Sequence, residues 1–283
     1  MTLDPSKSPL VSLTTMMCTD PPEVEWDLKP LVMHGGRMVL SGEWATFKSW
    51  ITLDMLLHIS AGMDWLGWQC PKPRRCLYID EEMPLPELWR RVRWLTAGSA
   101  ELTHRLSADG GAERFQVLSQ AGYRVDKTEW LLSCLKSWRF QPEVVAIETL
   151  RRTLNGSENE AERVAVMWQT YQVLTRTGAT VWVNHHNVKP PSDPKEAREP
   201  HHRYAGSADI LGGADQALAL TRKRGQSSVT VVHTKARGAK EVEPFHVSLQ
   251  FDDDTQRAKI VRSNNIEGVD PSIDEQRVFG MRD

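Results

Sequence analysis

The stretch Arg37-Met-Val-Leu-Ser-Gly42-Glu43-Trp44-Ala45-Thr46-Phe47-Lys48-Ser49-Trp50 constrains this chain more than any other. It reads as an apolar strand, a tight turn at Gly42 and a helix opened by Lys48-Ser49. That is the layout of a phosphate-binding loop, G-x-x-x-x-G-K-[ST], with Phe47 standing where the second glycine belongs. Backbone N–H groups at a helix N-terminus attract phosphate oxygens, a lysine neutralises their charge, and a serine hydroxyl ligates Mg²⁺. Gly42 through Trp50 are therefore the candidate nucleotide-binding residues, and Ser49 is a candidate metal ligand. A phenylalanine at position 47 is inexpensive if its φ and ψ are helical. A positive φ there costs roughly 1–2 kcal/mol.

What surrounds the loop sets the fold class. Residues 1–25 carry Pro, Ser, Thr and Asp without periodicity and read as an N-terminal arm. Short apolar runs at 38–41, 76–80, 115–118, 144–147 and 180–183 then read as strands. Between them, 49–61, 85–95, 127–138 and 160–176 carry apolar residues at helical spacing. Trp50, Leu53, Leu57 and Ala61 stripe the first of these helices, and the second has a basic face. Trp130, Leu131, Cys134, Leu135 and Trp138 face inward from the third. Ala161, Val164, Ala165, Trp168 and Tyr171 do so from the fourth. Strands alternating with helices at this spacing predict an α/β fold, a mostly parallel central sheet with helices on both faces. Beyond about residue 205, strands at 216–221, 229–234, 245–251 and 258–261 follow one another through short polar turns, as an antiparallel extension of that sheet. Residues 187–204, rich in Pro, Lys, Glu and Arg, read as a mobile surface loop. The expected organisation is one domain over 26–262, with tails over 1–25 and 263–283.

The chain's 283 residues suffice for such a core. Its formal charge of −2 gives no global basic field of the kind that advertises nucleic acid. Basic residues cluster instead, at Arg74-Arg75, Arg90-Arg91-Arg93, Arg151-Arg152 and Arg222-Lys223-Arg224. Cys18, Cys70, Cys76 and Cys134 form no C-x-x-C pair and read as free thiols of a reducing compartment. No apolar run approaches membrane-spanning length, so a soluble cytoplasmic protein with no membrane partner is expected. The eleven tryptophans read as core or interface anchors.

Three polar strand ends follow the loop. Asp80-Glu81-Glu82-Met83 ends the second strand, Glu148 ends the run Val-Val-Ala-Ile, and His185-His186 follow Thr-Val-Trp-Val-Asn184. Carboxylates at the C-terminal edge of a parallel sheet face the crevice where ligands bind. One of the first group can orient the water that attacks a γ-phosphate, although acidic residues before Pro84 also suit a helix N-terminus. Glu148 can hold Mg²⁺ through water, and a histidine at the third end can sense the γ-phosphate.

This ordered set resembles the RecA-like hexameric ATPases of the plasmid RepA helicase type, relatives of the DnaB and KaiC groups, over roughly residues 31–251. The resemblance implies that the catalytic glutamate is Glu82. It places the metal-binding carboxylate of the third motif, an aspartate in the family, at Glu148, and the following polar pair at His186 and Lys189. It matches the family's Gly-Ser and Asp to Gly206-Ser207 and Asp215. Lys235 and Arg237 correspond to a Lys-x-Arg pair that reaches the neighbouring subunit's γ-phosphate, so the implied catalytic set is Glu82, His186, Lys235 and Arg237. The implied cofactors are ATP and Mg²⁺, and the implied partners are further copies in a hexameric ring and single-stranded DNA. Two other readings share the fold: an ATP-binding switch or scaffold with little hydrolysis, and a recombination or repair ATPase.

Overall fold

The apolar run before the phosphate-binding loop becomes a fully interior strand, and everything else is arranged around it. The computed structural model describes residues 11–108, 110–187, 208–222 and 226–263. An exposed helix α1 (Leu13–Cys18) lies in the arm, where no periodicity suggests one, and it buries no residue. A small antiparallel pair, β1 (Trp26–Leu28) and β2 (Val32–Met33), leads into β3 (Arg37–Gly42) and the long helix α2 (Lys48–Ala61). Next come β4 (Cys76–Asp80), α3 (Leu85–Ala97), α4 (Ala100–Ser107), β5 (Phe115–Ser119), α5 (Thr128–Ser137) and β6 (Val144–Glu148). The short α6 (Leu150–Thr153), α7 (Ala161–Thr175), β7 (Thr180–His186), α8 (Asp209–Gly213) and β8 (Gln216–Thr221) follow. The chain then closes with β9 (Ser228–Ala236), β10 (Phe245–Asp252) and β11 (Arg257–Ser263).

Nine strands form one sheet in the order β11-β10-β9-β8-β3-β7-β6-β4-β5. From β8 to β5 all neighbours are parallel, and from β8 to β11 all are antiparallel. The run 216–221 is thus a correction to the sequence reading: it is the last parallel strand, not the first of the antiparallel extension. A parallel connection needs a crossover of about a dozen residues or more, and the long segment between His186 and Gln216 supplies it.

Alternation along the strands divides the core into two layers. Met38, Leu40, Tyr78, Ala146 and Trp182 join α2, α3 and α4 on one face. Val39, Leu77, Ile79, Val145, Ile147 and Val183 join α5 and α7 on the other. α2 is buried nearly all round rather than along one stripe, because β3, β4, α3 and α4 all pack against it. At the end of α3, a Cβ on Gly98 would lie 2.0 Å from the Ala258 carbonyl oxygen, so glycine lets the helix end approach β11.

Two helical faces differ from the spacing-based expectation. On α5 only Leu131 and Leu135 of the expected stripe are buried, while Trp130 and Trp138 are exposed. On α7, Ala161 and Ala165 face solvent, and Met167 and Leu174 are buried beside Val164, Trp168 and Tyr171. In both, alanine or tryptophan at helical spacing is compatible with either side, and the larger aliphatic residues decide. Residues 188–204 of the expected loop, Lys189, Gly206-Ser207 and the tail from 264 lie outside the described residues.

Candidate functional site

The sheet order brings five strand ends together at one edge. β3 ends at Gly42, in register with His186 of β7 on one side and Leu220 of β8 on the other. Asp80 of β4 is in register with Glu148 of β6. The loop between β3 and α2 therefore sits among the ends of β8, β7, β6 and β4. A cleft of about 510 Å³ opens there, lined by Trp44 through Trp50, Glu82, Glu148 and His186, with Met83, Pro84 and Arg91 from the start of α3 and the turn before it.

Gly42 is required by space. A Cβ on it would fall 2.6 Å from Thr46 Oγ1, whose hydroxyl donates to the Glu43 carbonyl and closes the turn. Phe47 has φ 60° and ψ 22°, the left-handed region, and Ala45 is also at positive φ. The costly alternative for Phe47 is the one the chain adopts. No side chain caps the N-terminus of α2, so its first amides remain available to an anion.

Lys48 is buried and points back into the loop, donating to the carbonyls of Gly42 (2.8 Å) and Glu43 (2.7 Å). Burial pulls its pKa down to about 8, against the opposing pull of Glu148, Glu82 and Glu43. Among the described residues it forms no ion pair, so a buried cation lies beside a row of open amides. Ser49 Oγ donates to Glu148 Oε1 (3.2 Å). The other carboxylate oxygen of Glu148 accepts from Tyr78 (3.1 Å) and from the Asn184 amide. Burial raises the Glu148 pKa to about 7, the Asn184 hydrogen bond opposing it and the Asp80 charge adding to it. Asn184 is held in turn by Thr52 (2.8 Å) and by the Trp182 indole (2.9 Å).

The two adjacent glutamates after β4 point to different tasks. Asp80 Oδ1 accepts from the backbone N–H groups of Glu82 and Met83, both at 2.8 Å, which fixes the turn. Glu81 accepts from the N–H groups of Gly122 (3.1 Å) and Tyr123 (2.8 Å) and so ties down the loop after β5. Glu82 is exposed and lines the cleft. His186 faces the cleft with its ring 6.1 Å from that of Trp44, and burial, then the charges of Lys48 and Arg151, lower its pKa to about 4. It is therefore neutral at physiological pH.

Lys235 and Arg237 lie elsewhere. β9 runs antiparallel to β8, and Lys235 stands opposite Ala217, at the sheet edge away from the cleft. Lys235 donates to the carbonyls of Leu211 (2.7 Å) and Gly212 (2.9 Å), and Arg237 pairs with Asp215 at 2.8 Å. Neither can serve the cleft of its own chain. Sequence reasoning missed Tyr78, Thr52 and Asn184, which buttress Glu148, and Arg91, whose guanidinium stacks 4.9 Å from the Trp50 ring. Their only local signal is a polar residue inside an otherwise apolar strand, as at Asn184.

The donor set suits a magnesium–nucleotide: open amides and a buried ammonium for phosphate oxygens, and a serine hydroxyl beside a carboxylate for a hard cation. A family model described as AAA domain matches residues 3–192. Among solved structures, the ATPase domain of a DnaB-like helicase superposes with a TM-score of 0.56 at 14% sequence identity, over 79% of this chain and 84% of that one. No curated protein matches the chain by sequence.

Proposed function

The chain belongs to the AAA domain family and has a RecA-like P-loop ATPase fold, and from that premise we propose that it binds and hydrolyses ATP as an oligomeric motor or loader acting on DNA. The observation that carries the nucleotide part is the convergence of Lys48, Ser49, Glu82, Glu148 and His186 on one cleft at the C-terminal edge of the sheet. Lys48 and the first amides of α2 hold the phosphates. Ser49, backed by Glu148, holds Mg²⁺, which when bound neutralises charge on the β- and γ-phosphates. Glu82, the carboxylate of its pair left free by Glu81, orients the attacking water and accepts its proton. Neutral His186 offers a ring nitrogen toward the phosphate end of the cleft.

The oligomeric part is supported by the position of Lys235 and Arg237. They are too far round the sheet to act in their own chain, and a neighbour's cleft is where such cations gain a role. A hexameric ring and single-stranded DNA rest on the sequence resemblance.

A second reading, an ATP-binding switch with little hydrolysis, is favoured by the left-handed Phe47 and by a Glu148 already hydrogen-bonded on both oxygens. Steady-state ATP turnover with and without single-stranded DNA separates the two. Turnover stimulated by DNA supports the motor. Tight binding with negligible turnover in both conditions supports the switch, and absence of binding overturns both.

A further inference from the structure

The phosphate-binding loop holds two non-glycine residues, Ala45 and Phe47, in the left-handed region. Such a loop relaxes unless its surroundings over-determine it. Two contacts do so at Phe47. Its ring packs against the core cluster beneath α2. Over its other side lies the guanidinium of Arg222, 4.3 Å from the ring centroid, well within cation–π range.

Arg222 directly follows β8, the strand beside β3, and it belongs to the basic cluster 222–224 whose purpose the sequence leaves open. The same guanidinium donates from Nη1 to the carbonyl of Ala45 (2.7 Å) and from Nε to the carbonyl of Gln226 (2.6 Å). One planar group thus grips both left-handed residues and is itself anchored on the turn that leads to β9. Arginine suits this task because its donors form a rigid fork while its face stays open for stacking. A lysine ammonium offers neither.

We infer that Arg222 is a positioning residue that clamps the loop in its phosphate-cradling shape, standing in for the conformational freedom of the absent glycine. The inference rests on the nucleotide-binding reading for its purpose, but the clamp itself is a property of the free protein. It predicts that Phe47 and Arg222 act as one unit.

The test measures two things on the full chain and on Arg222→Ala, Arg222→Lys, Phe47→Leu and the Arg222→Ala/Phe47→Leu double variant. The first is hydrogen–deuterium exchange of loop peptides covering residues 43–49 without nucleotide. The second is calorimetric affinity for ATP with Mg²⁺. Thermal unfolding of each variant checks that it is folded, and Phe47→Leu probes the clamp from its other side should Arg222→Ala not fold. Loop exchange should quicken about tenfold in Arg222→Ala, and ATP affinity should fall about tenfold, with kcat at saturating ATP little changed. Arg222→Lys should behave like Arg222→Ala, and the double variant should be no worse than Arg222→Ala alone. Unchanged loop exchange in Arg222→Ala overturns the clamp. So does full rescue by lysine, which would mean that charge alone matters, and so do additive losses. A wild-type chain that binds no ATP refutes the nucleotide reading instead, and the exchange comparison still decides the clamp.

Discussion

Glu81 and Glu82 are adjacent and chemically identical, yet the structure assigns them opposite consequences on substitution. Glu81 accepts two backbone hydrogen bonds, from Gly122 and Tyr123, and is half-buried. Glutamine keeps one acceptor oxygen there and turns an NH₂ toward the second amide, so one charge-assisted bond is lost and a donor faces a donor. Hydrogen bonds to charged groups contribute about 1.5–3 kcal/mol when well sheltered. Partial exposure screens this one, so Glu81→Gln should cost about 1–2 kcal/mol. For a chain of this length that lowers Tm by about 2–8 °C. Turnover per folded molecule should survive, because Glu81 does not line the cleft. Glu82 is exposed, and among the described residues its side chain makes no hydrogen bond or ion pair. Glu82→Gln should therefore leave Tm unchanged within about 1 °C, since surface changes of this kind stay within about 0.5 kcal/mol. It should lower kcat by about 10²–10⁴, the range for a removed general base. A coupled ATPase assay and a thermal melt on the same samples read both axes. A dead Glu81→Gln enzyme with unchanged Tm would show that the roles are reversed. A Glu82→Gln enzyme with normal kcat would show that another group orients the water.

Lys48→Ala removes the one buried ammonium beside the open amides and should weaken ATP binding about 100-fold or more; calorimetry returning wild-type affinity would sink the phosphate site. The folded-state pKa of Glu148 is raised from 4.5 to about 7, so the folded chain keeps a proton that the unfolded chain releases between those values. Without nucleotide and with EDTA, stability should therefore fall by about 3 kcal/mol as pH rises through that window, at about 1.36 kcal/mol per tenfold change in acid constant. Glu148→Gln should flatten the slope; urea unfolding at about pH 5 and about pH 8 checks this, and equal slopes in the two proteins refute it. If Lys235 and Arg237 act on a neighbour, specific ATPase activity should rise with protein concentration, and mixing inactive Arg237→Ala and Lys48→Ala chains should restore part of it. Concentration-independent activity with no rescue on mixing would refute the shared site.

Much of the fold is legible because its central strands are buried on both sides and so read as unbroken apolar runs. Cys76–Asp80 is visible to the residue, since Arg74-Arg75 and Glu81-Glu82 bound it sharply. α4 is not visible. It is eight residues long and commits only Leu102 and Leu106 to the core, too few to establish a period. The assignment of 216–221 to an antiparallel unit fails for a different reason. Strand direction depends on how the preceding segment crosses the sheet, and nothing inside Gln-Ala-Leu-Ala-Leu-Thr records that. The exposed Trp130 and Trp138 show the limit of composition as a guide to burial, because a large indole can end a helical stripe outside the core as easily as inside it.

The site divides along the same line between local and non-local information. Gly42, Lys48 and Ser49 are legible because spacing alone builds a strand, a turn and a helix start. Glu82 can be separated from Glu81 only once the loop after β5 is seen to claim Glu81. The buttress of Glu148 is assembled from Ser49, Tyr78 and Asn184 on three other elements, and no window of sequence holds them together. Phe47 is the sharpest case. Read locally, it breaks the glycine rule, and the rule is right about the backbone, which is left-handed at that position. What the local reading lacks is the neighbour. A core-packed ring, with Arg222 stacked on it and bonded to Ala45, supplies from tertiary contacts the conformation that glycine would allow by having no side chain. A departure from a backbone motif therefore directs attention to whatever the fold places over the substituted residue before it argues against the motif's function.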